Sequence, residues 1–393
     1  MSSAPGAEGA RPLRNASPTV LQALVRDRRL LVCVGAGGVG KTTTAASIAL
    51  RAALEGRRVL VLTIDPARRL ANALGLDALE NREVRIDLGA RAAAGGELWA
   101  MMLDPRATLD DVVTRLAPTP ALRDALFRNR VYRHIAGSFS GSQEYMAAER
   151  LHDVVLSGRY DLVVLDTPPV KNALDFLESP GRMTRFLDRQ VIKWFLAQEQ
   201  GGVGRRLLAG TSAVVHGMLG HVFGKEFLSE LSSFFTLFGD MVDGFRARHE
   251  AVGHMFHDAR TSFVVVAAPT DSAVDVASFF LDELRARRMP LAAVVLNQVH
   301  AAAGDVPDVE ALVGARARAL DPEGAPALVS LLTESHARLR ERVRVETRRA
   351  EALRSAAGPS VPVVRVPRVR GEVHDLDALT ALHAPLFAAE RTP

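Results

Sequence analysis

The residues whose types and spacing most clearly predict chemistry are residues 35–42, with the sequence G-A-G-G-V-G-K-T. They follow an apolar run, residues 30–34, which predicts a buried strand, and they lead into a stretch with helical periodicity, Lys41–Leu54. Glycines allow backbone N–H groups to turn inward around an anion, and a helix N-terminus adds partial positive charge. The pattern G-x-x-x-x-G-K-S/T between a strand and a helix therefore predicts a loop that binds the phosphates of a nucleotide.

The predicted phosphate contacts come from the loop and from the first residues of the helix: Gly37, Gly38, Val39, Gly40, Lys41, Thr42 and Thr43. We expect Lys41 to bridge the β- and γ-phosphates and to assist catalysis, and the Thr42 hydroxyl to hold Mg²⁺. Thr43 would contact the α-phosphate. The alternative is a glycine-rich turn without a ligand, which the lysine and threonine in the expected order disfavour.

Two aspartates end two further predicted strands. Asp65 follows residues 59–64, and Asp166 follows residues 162–165. Because the carboxyl ends of parallel strands meet at one edge of a sheet, both carboxylates should lie near the glycine-rich loop. We expect Asp166 to reach Mg²⁺ through a water and Asp65 to orient an attacking water as a catalytic residue. The alternative for Asp65 is a turn-forming Asp-Pro pair.

The composition excludes several classes of protein. Of 393 residues, 48% are hydrophobic and 24% charged, which is ordinary for a globular chain. The apolar runs are too short for a transmembrane helix, and the N-terminus has no apolar secretory segment. The one cysteine, Cys33, excludes a disulfide framework or a Cys-rich metal site within one chain, and the cytoplasm is the expected compartment.

The net charge of +4 does not predict nucleic-acid binding. Arginines and acidic residues alternate along the chain, and aromatic residues make up 5% of it. Only four of the 49 basic side chains are lysines, which we interpret as a compositional bias. We therefore expect no nucleic-acid partner.

Short apolar runs alternate with helical stretches, which predicts an α/β fold with a mostly parallel sheet flanked by helices. Residues 1–27 should form a disordered tail and a short helix, and residues 28–390 a single nucleotide-binding domain. Two long helical stretches, about residues 104–157 and 183–258, do not fit the alternation and are interpreted as helical insertions.

The second insertion holds nine of the 16 phenylalanines. Phe227, Phe234, Phe238 and Met241 recur at helical spacing and form one apolar stripe. Such a stripe could form a groove for a hydrophobic helix of a client protein. The pattern by itself favours packing against the core or a second subunit for most of these residues.

Residues 35–42 resemble the deviant Walker A motif of the P-loop NTPases that include ParA, MinD, ArsA and the nitrogenase iron protein. Asp65-Pro66-Ala67, with Leu70, resembles the first switch segment of the ArsA family, and residues 166–183 resemble the second in bacterial ArsA-like ATPases. The resemblance extends over residues 29–390. It implies a Mg²⁺-dependent ATPase working as a dimer that binds and releases a hydrophobic or protein client, such as a membrane protein.

The same resemblance implies adenine contacts for Asn297 and for Pro367 and Val369 in the segment 367–373. The chain departs from the pattern at Ala36, where the superfamily usually carries a second lysine that acts across a dimer. It also has Arg68-Arg69 where the targeting ATPases for tail-anchored proteins carry His-Asn. The dimer is therefore either a homodimer or a heterodimer with a lysine-bearing paralogue.

Three alternatives remain open. One is an ATP-binding regulatory subunit that does not hydrolyse the nucleotide. Another is a positioning ATPase like ParA or MinD, although the C-terminal residues are not basic and amphipathic. A metalloid-transport ATPase is disfavoured, because a soft metalloid needs several thiolates and the chain has Cys33 alone.

Overall fold

The computed structural model describes residues 19–65, 68–93, 95–133, 142–168, 225–239, 241–300, 310–369, 371 and 373–388. The predicted tail, residues 1–17, lies outside them. So do residues 169–183 of the second switch-like segment and the first part of the second insertion.

Within these described ranges, eight strands form one sheet in the order β3-β4-β2-β5-β1-β6-β7-β8. The strands are β1 (Leu30–Gly35), β2 (Arg58–Thr63), β3 (Val84–Ile86), β4 (Glu97–Met102), β5 (Leu162–Asp166), β6 (Thr261–Ala267), β7 (Leu291–Val299) and β8 (Val363–Pro367). Strand β3 pairs antiparallel with β4, and the other neighbouring pairs are parallel. The predicted mostly parallel α/β fold is confirmed, and β3 is a short edge strand that the apolar pattern did not predict.

The helices in the first half of the chain are α1 (Val20–Asp27), α2 (Lys41–Leu54), α3 (Arg69–Ala73), α4 (Pro105–Leu116), α5 (Pro120–Arg128) and α6 (Ser142–Leu156). The others are α7 (Lys225–Gly239), α8 (Val242–His257), α9 (Asp271–Ala286), α10 (Ala315–Leu320), α11 (Ala325–Ala357), α12 (Leu376–Ala381) and α13 (His383–Leu386). Short 3₁₀ and π segments occupy Gly89–Arg91 and Glu310–Gly314. Among the described residues, no helix is both long and apolar enough to cross a bilayer.

Each face of the sheet carries its own core. In β1, Leu31 and Cys33 face the cluster that includes α1 and α2, while Leu30, Val32 and Val34 face the cluster that includes α6, α8 and α9. Because alternate residues of a strand point to opposite faces, a strand covered on both sides must be apolar throughout. This two-sided burial explains why β1 is an uninterrupted apolar run.

The two insertions share a third core. Phe234 and Phe238 of α7 are 1% and 6% exposed, and Met241, two residues after the end of α7, is 1% exposed. They pack with α4 and α5 through side chains such as Val112 and Leu126. Aromatic contacts continue this core, since the Phe238 and Phe245 rings stack with centroids 4.9 Å apart.

Among the described residues, the part of the stripe considered as a client groove is closed. Phe234, Phe238 and Met241 are covered by the chain's own helices, which is the packing alternative that the sequence pattern favoured. The Phe227 side chain lies outside the described part of the chain. Burial removes apolar area from water, so the insertions stabilise each other before any client is involved.

Candidate active site

The loop between β1 and α2 has a backbone that depends on glycine at three positions. A Cβ at Gly35 would overlap the carbonyl oxygen of Val266 in β6. Gly38 and Gly40 have φ of 77° and 90°, in the left-handed region that other residues rarely adopt. Gly40 also stands at the N-cap of α2, and a Cβ there would overlap the Asn297 amide. These glycines therefore allow the loop to turn tightly at the start of α2, packed against β6 and Asn297.

Lys41 is folded against this loop. Its side chain is 7% exposed, and its Nζ donates a hydrogen bond of 2.8 Å to the carbonyl oxygen of Ala36. Burial lowers the pKa of Lys41, while the nearby carboxylates of Asp166 and Asp65 act in the opposite direction. A buried ammonium at the mouth of an anion-binding loop is suited to phosphate.

Asp166 joins three elements at the carboxyl edge of the sheet. Its Oδ2 accepts hydrogen bonds from Thr42 Oγ1 at 2.7 Å and from Thr63 Oγ1 at 3.0 Å. Its Oδ1 is buried and has no hydrogen-bond partner among the described residues. Burial raises the pKa of this carboxyl to about 6, although the two hydroxyl groups lower it.

This donor set fits Mg²⁺. Magnesium takes oxygen ligands, commonly one or two protein oxygens together with waters and phosphate oxygens. The Thr42 hydroxyl is bonded to Oδ2 of Asp166, and Oδ1 of the same carboxylate has no hydrogen-bond partner among the described residues. A cation there would supply the charge that a buried carboxylate needs.

Asp65 stands opposite the loop, two residues after the end of β2. Its side chain is 17% exposed, and its Oδ2 lies 3.5 Å from an Nη1 of Arg69. Its backbone N–H donates to Thr63 Oγ1 at 3.2 Å, so one threonine contacts both aspartates. Asp65 is thereby held at the same edge as Asp166.

These groups surround a cleft of about 590 Å³. Of the predicted residues, those that line it are Gly38, Gly40, Lys41, Thr42, Thr43 and Asp65. Val39 has its side chain in the core on the α2 side of the sheet, so only its backbone is available to a ligand. Gly37 is exposed at the turn. The structure thus brings the loop, Thr42, Thr43 and Asp65 to one cleft at the carboxyl edge of the sheet.

The three residues predicted to contact adenine do not line this cleft. The Nδ2 of Asn297 donates to the Val39 carbonyl oxygen at 2.9 Å, so this amide supports the loop from the end of β7. Pro367 and Val369 are exposed at and beyond the end of β8 and do not line the cleft. Adenine binding by these three residues stays a prediction.

Sequence reasoning missed several residues of the cleft. Thr63 contacts both aspartates, Gln298 donates to the Gly38 carbonyl oxygen at 3.2 Å, and Arg69 lines the cleft. Thr63 lies two residues before Asp65 in sequence, but its contact with Asp166 depends on β5 lying beside β2. Gln298 has a φ of 62°, a conformation that no sequence signal indicated.

A family model described as anion-transporting ATPase matches residues 28–311. The chain is also similar to curated proteins. It is 27% identical over 290 residues to ATPase GET3 of Podospora anserina, covering 72% of this chain and 78% of that protein. It is 28% identical over 286 residues to ATPase get3 of Aspergillus terreus, covering 71% and 76%.

A third relative, ATPase ARSA1 of Chlamydomonas reinhardtii, is 27% identical over 301 residues, which cover 70% of this chain and 35% of that protein. The family match spans well over half of the 393 residues and includes the loop, both aspartates and the insertions. The chain is therefore an ATPase that belongs to the anion-transporting ATPase, or ArsA, family.

Proposed function

We propose that this ATPase hydrolyses Mg²⁺-bound ATP in the cleft at the carboxyl edge of the sheet, and that hydrolysis drives a dimer to bind and release a hydrophobic or protein client. The observation that carries the proposal is the buried Asp166, which holds Thr42 through Oδ2 and keeps Oδ1 without a hydrogen-bond partner among the described residues.

In this proposal each side chain has a separate task. Lys41 exchanges its bond to the Ala36 carbonyl oxygen for the phosphates, which the amides of the loop also bind. Thr42 and Asp166 would hold Mg²⁺, and the ion would neutralise the developing charge on the phosphate oxygens. Asp65 accepts a hydrogen bond from the attacking water and thereby orients it.

The proposed client is a hydrophobic helix, and the expected compartment is the cytoplasm. The resemblance to the targeting ATPases of tail-anchored membrane proteins, and the relatives named GET3, support this class. The apolar stripe on α7 is covered by α4 and α5, so capture requires these helices to separate. A labelled hydrophobic-helix peptide should therefore bind in one nucleotide state and not in the other; equal binding with ATP and ADP would contradict the coupling.

Ala36 bears on the identity of the dimer. The loop itself offers one lysine, Lys41, and position 36 offers no charge. We propose that the chain pairs with a paralogue that carries a lysine at the equivalent position. Ala36→Lys should then raise the ATP turnover of the homodimer. Unchanged turnover would remove the support for pairing with a lysine-bearing paralogue.

Steady-state ATP turnover by the purified chain is the central experiment. Asp65→Asn removes the carboxylate beside the cleft, and Asp282→Asn makes the same change on an exposed part of α9 as a control. We expect Asp65→Asn to abolish turnover and Asp282→Asn to preserve it. Tight Mg-ATP binding without any turnover in the wild type would instead support a regulatory subunit that requires a partner.

A further inference from the structure

The charged side chains that line the cleft do not give it a net positive charge. Among the described residues that line it, Asp65 and Asp77 are acidic, and Asp166 lies buried behind Thr42. The permanent positive charges among these lining residues are Lys41 and Arg69. A triphosphate adds several negative charges to this environment, and its transfer needs them stabilised by fixed cations.

Arg69 is placed to provide such a cation. It is the first residue of α3, its side chain is 60% exposed, and it faces the cleft across from the glycine-rich loop. Burial lowers the pKa of Lys41, and the positive charge of Arg69 acts in the same direction. A guanidinium presents a planar fork of donors that matches phosphate oxygens, which an ammonium does not.

The contact that Arg69 makes at present is easily exchanged. Its Nη1 lies 3.5 Å from Asp65 Oδ2, which is long for a charged hydrogen bond, and the pair is partly exposed to water. A long, partly exposed ion pair of this kind contributes little to stability. A phosphate group entering the cleft can therefore compete for this guanidinium.

We propose that Arg69 contacts the terminal phosphate of bound nucleoside triphosphate from within the same chain and is a catalytic residue. The proposal rests on the proposed function, because it assigns the charge stabilisation at that same site. Movement of Arg69 to the phosphate also releases Asp65 from their ion pair, so that triphosphate binding and the positioning of Asp65 become linked.

The neighbouring arginine provides a matched control. Arg68 is also exposed, and it directly precedes α3. It lines a separate cavity of about 140 Å³ with Thr63 and Leu70 instead of the nucleotide cleft. Replacing either arginine changes the net charge by the same amount, so a general electrostatic effect would appear in both variants.

The test compares Arg69→Ala, Arg69→Lys and Arg68→Ala. Turnover is measured against Mg-ATP, and affinity is measured by calorimetry for ADP and for the non-hydrolysable β,γ-imido analogue of ATP. We expect Arg69→Ala to lower kcat by at least about 100-fold, as for other arginines that stabilise phosphoryl transfer. Arg69→Ala should also weaken binding of the imido analogue more than binding of ADP. Arg68→Ala should change kcat and both affinities by less than about twofold. Arg69→Lys should recover part of the analogue affinity without recovering kcat.

The result that overturns the proposal is an Arg69→Ala variant that matches Arg68→Ala in kcat and in the ratio of the two affinities. If the wild type shows no turnover at all, the proposed function of the isolated chain fails, but the affinity ratio still decides the role of Arg69. Loss of the preference for the triphosphate analogue in Arg69→Ala would then support the contact, and an unchanged ratio would refute it.

Discussion

The Oδ2 of Asp166 lies 2.7 Å from the hydroxyl oxygen of Thr42, although 124 positions separate the two residues. One end of the bond is the last residue of β5, and the other is in the first turn of α2. The Thr63 hydroxyl, from the end of β2, binds the same oxygen. A single buried carboxylate thus links the phosphate loop to two neighbouring strands.

The first prediction concerns metal dependence. Thr42→Ala removes the hydroxyl that is placed to hold Mg²⁺, and Thr42→Ser keeps it. We expect Thr42→Ala to need at least about tenfold more Mg²⁺ for half-maximal turnover, as the loss of one oxygen ligand implies. Thr42→Ser should behave as the wild type, and chelation of Mg²⁺ should abolish turnover. Equal Mg²⁺ titration curves for the two variants would contradict the assignment.

The second prediction concerns the pH dependence of stability. The pKa of Asp166 is raised to about 6 in the folded protein, above the ordinary value of 3.8. Well above pH 6 the carboxyl is ionised in both the folded and the unfolded protein. Burying its charge then lowers the free energy of unfolding by roughly 3 kcal/mol. Below pH 6 the folded state binds the proton first, so this penalty decreases as the pH falls toward 4.

Asp166→Asn keeps the shape of the side chain and an oxygen that accepts hydrogen bonds, but it removes the charge. In the presence of a metal chelator, the variant should therefore be more stable than the wild type at pH 8, and the difference should shrink at pH 5. Urea unfolding at the two pH values measures it. A difference that does not change with pH would show that this carboxyl does not titrate as described.

The third prediction separates two glycines of the loop. Gly38 and Gly40 both have positive φ, but a Cβ at Gly38 meets nothing within 4 Å, whereas one at Gly40 overlaps the Asn297 amide. Gly38→Ala should cost about 1 kcal/mol or slightly more from backbone strain alone. Gly40→Ala should lower the stability of the protein clearly more, because it also displaces Asn297 from the Val39 carbonyl oxygen. Thermal unfolding without nucleotide measures both, and equal losses would contradict the overlap.

The fourth prediction concerns the core shared by the insertions. Phe238 is 6% exposed and stacks between Phe234 and Phe245, while Phe279 on α9 is 45% exposed. Phe238→Ala should destabilise this region by about 3–5 kcal/mol, and Phe279→Ala by far less. Hydrogen exchange should increase in α4, α5 and α7 of the Phe238 variant while the nucleotide cleft stays protected. Unchanged exchange in these helices would mean that this core does not hold them together.

Local patterns in the sequence predicted the centre of the fold accurately. The bounds of α2 were predicted as Lys41–Leu54, and β1 was predicted to within one residue. A glycine-rich turn between an apolar run and a helix is a local signal, so the neighbouring residues suffice to identify it. The edge strand β3 was missed, because three residues with one buried side chain leave almost no periodic pattern.

The apolar stripe on α7 illustrates the limit of such patterns. Its spacing identified one apolar helix face, but spacing contains no information on which surface covers that face. The structure pairs it with α4 (Pro105–Leu116) and α5 (Pro120–Arg128), which precede it far back in the chain. Phe238 and Met241 are consequently core residues in this conformation.

The amino-acid sequence by itself determined the nucleotide loop, the two aspartates at strand ends and the family, because each depends on neighbouring residues in a fixed order. The tertiary structure alone decided that β5 lies between β1 and β2, which brings Asp166 against Thr42 and Thr63. It also decided that Asn297 supports the loop and that Arg69 faces the cleft. These relationships join residues far apart in the chain, and only the packing of strands and helices sets their distances.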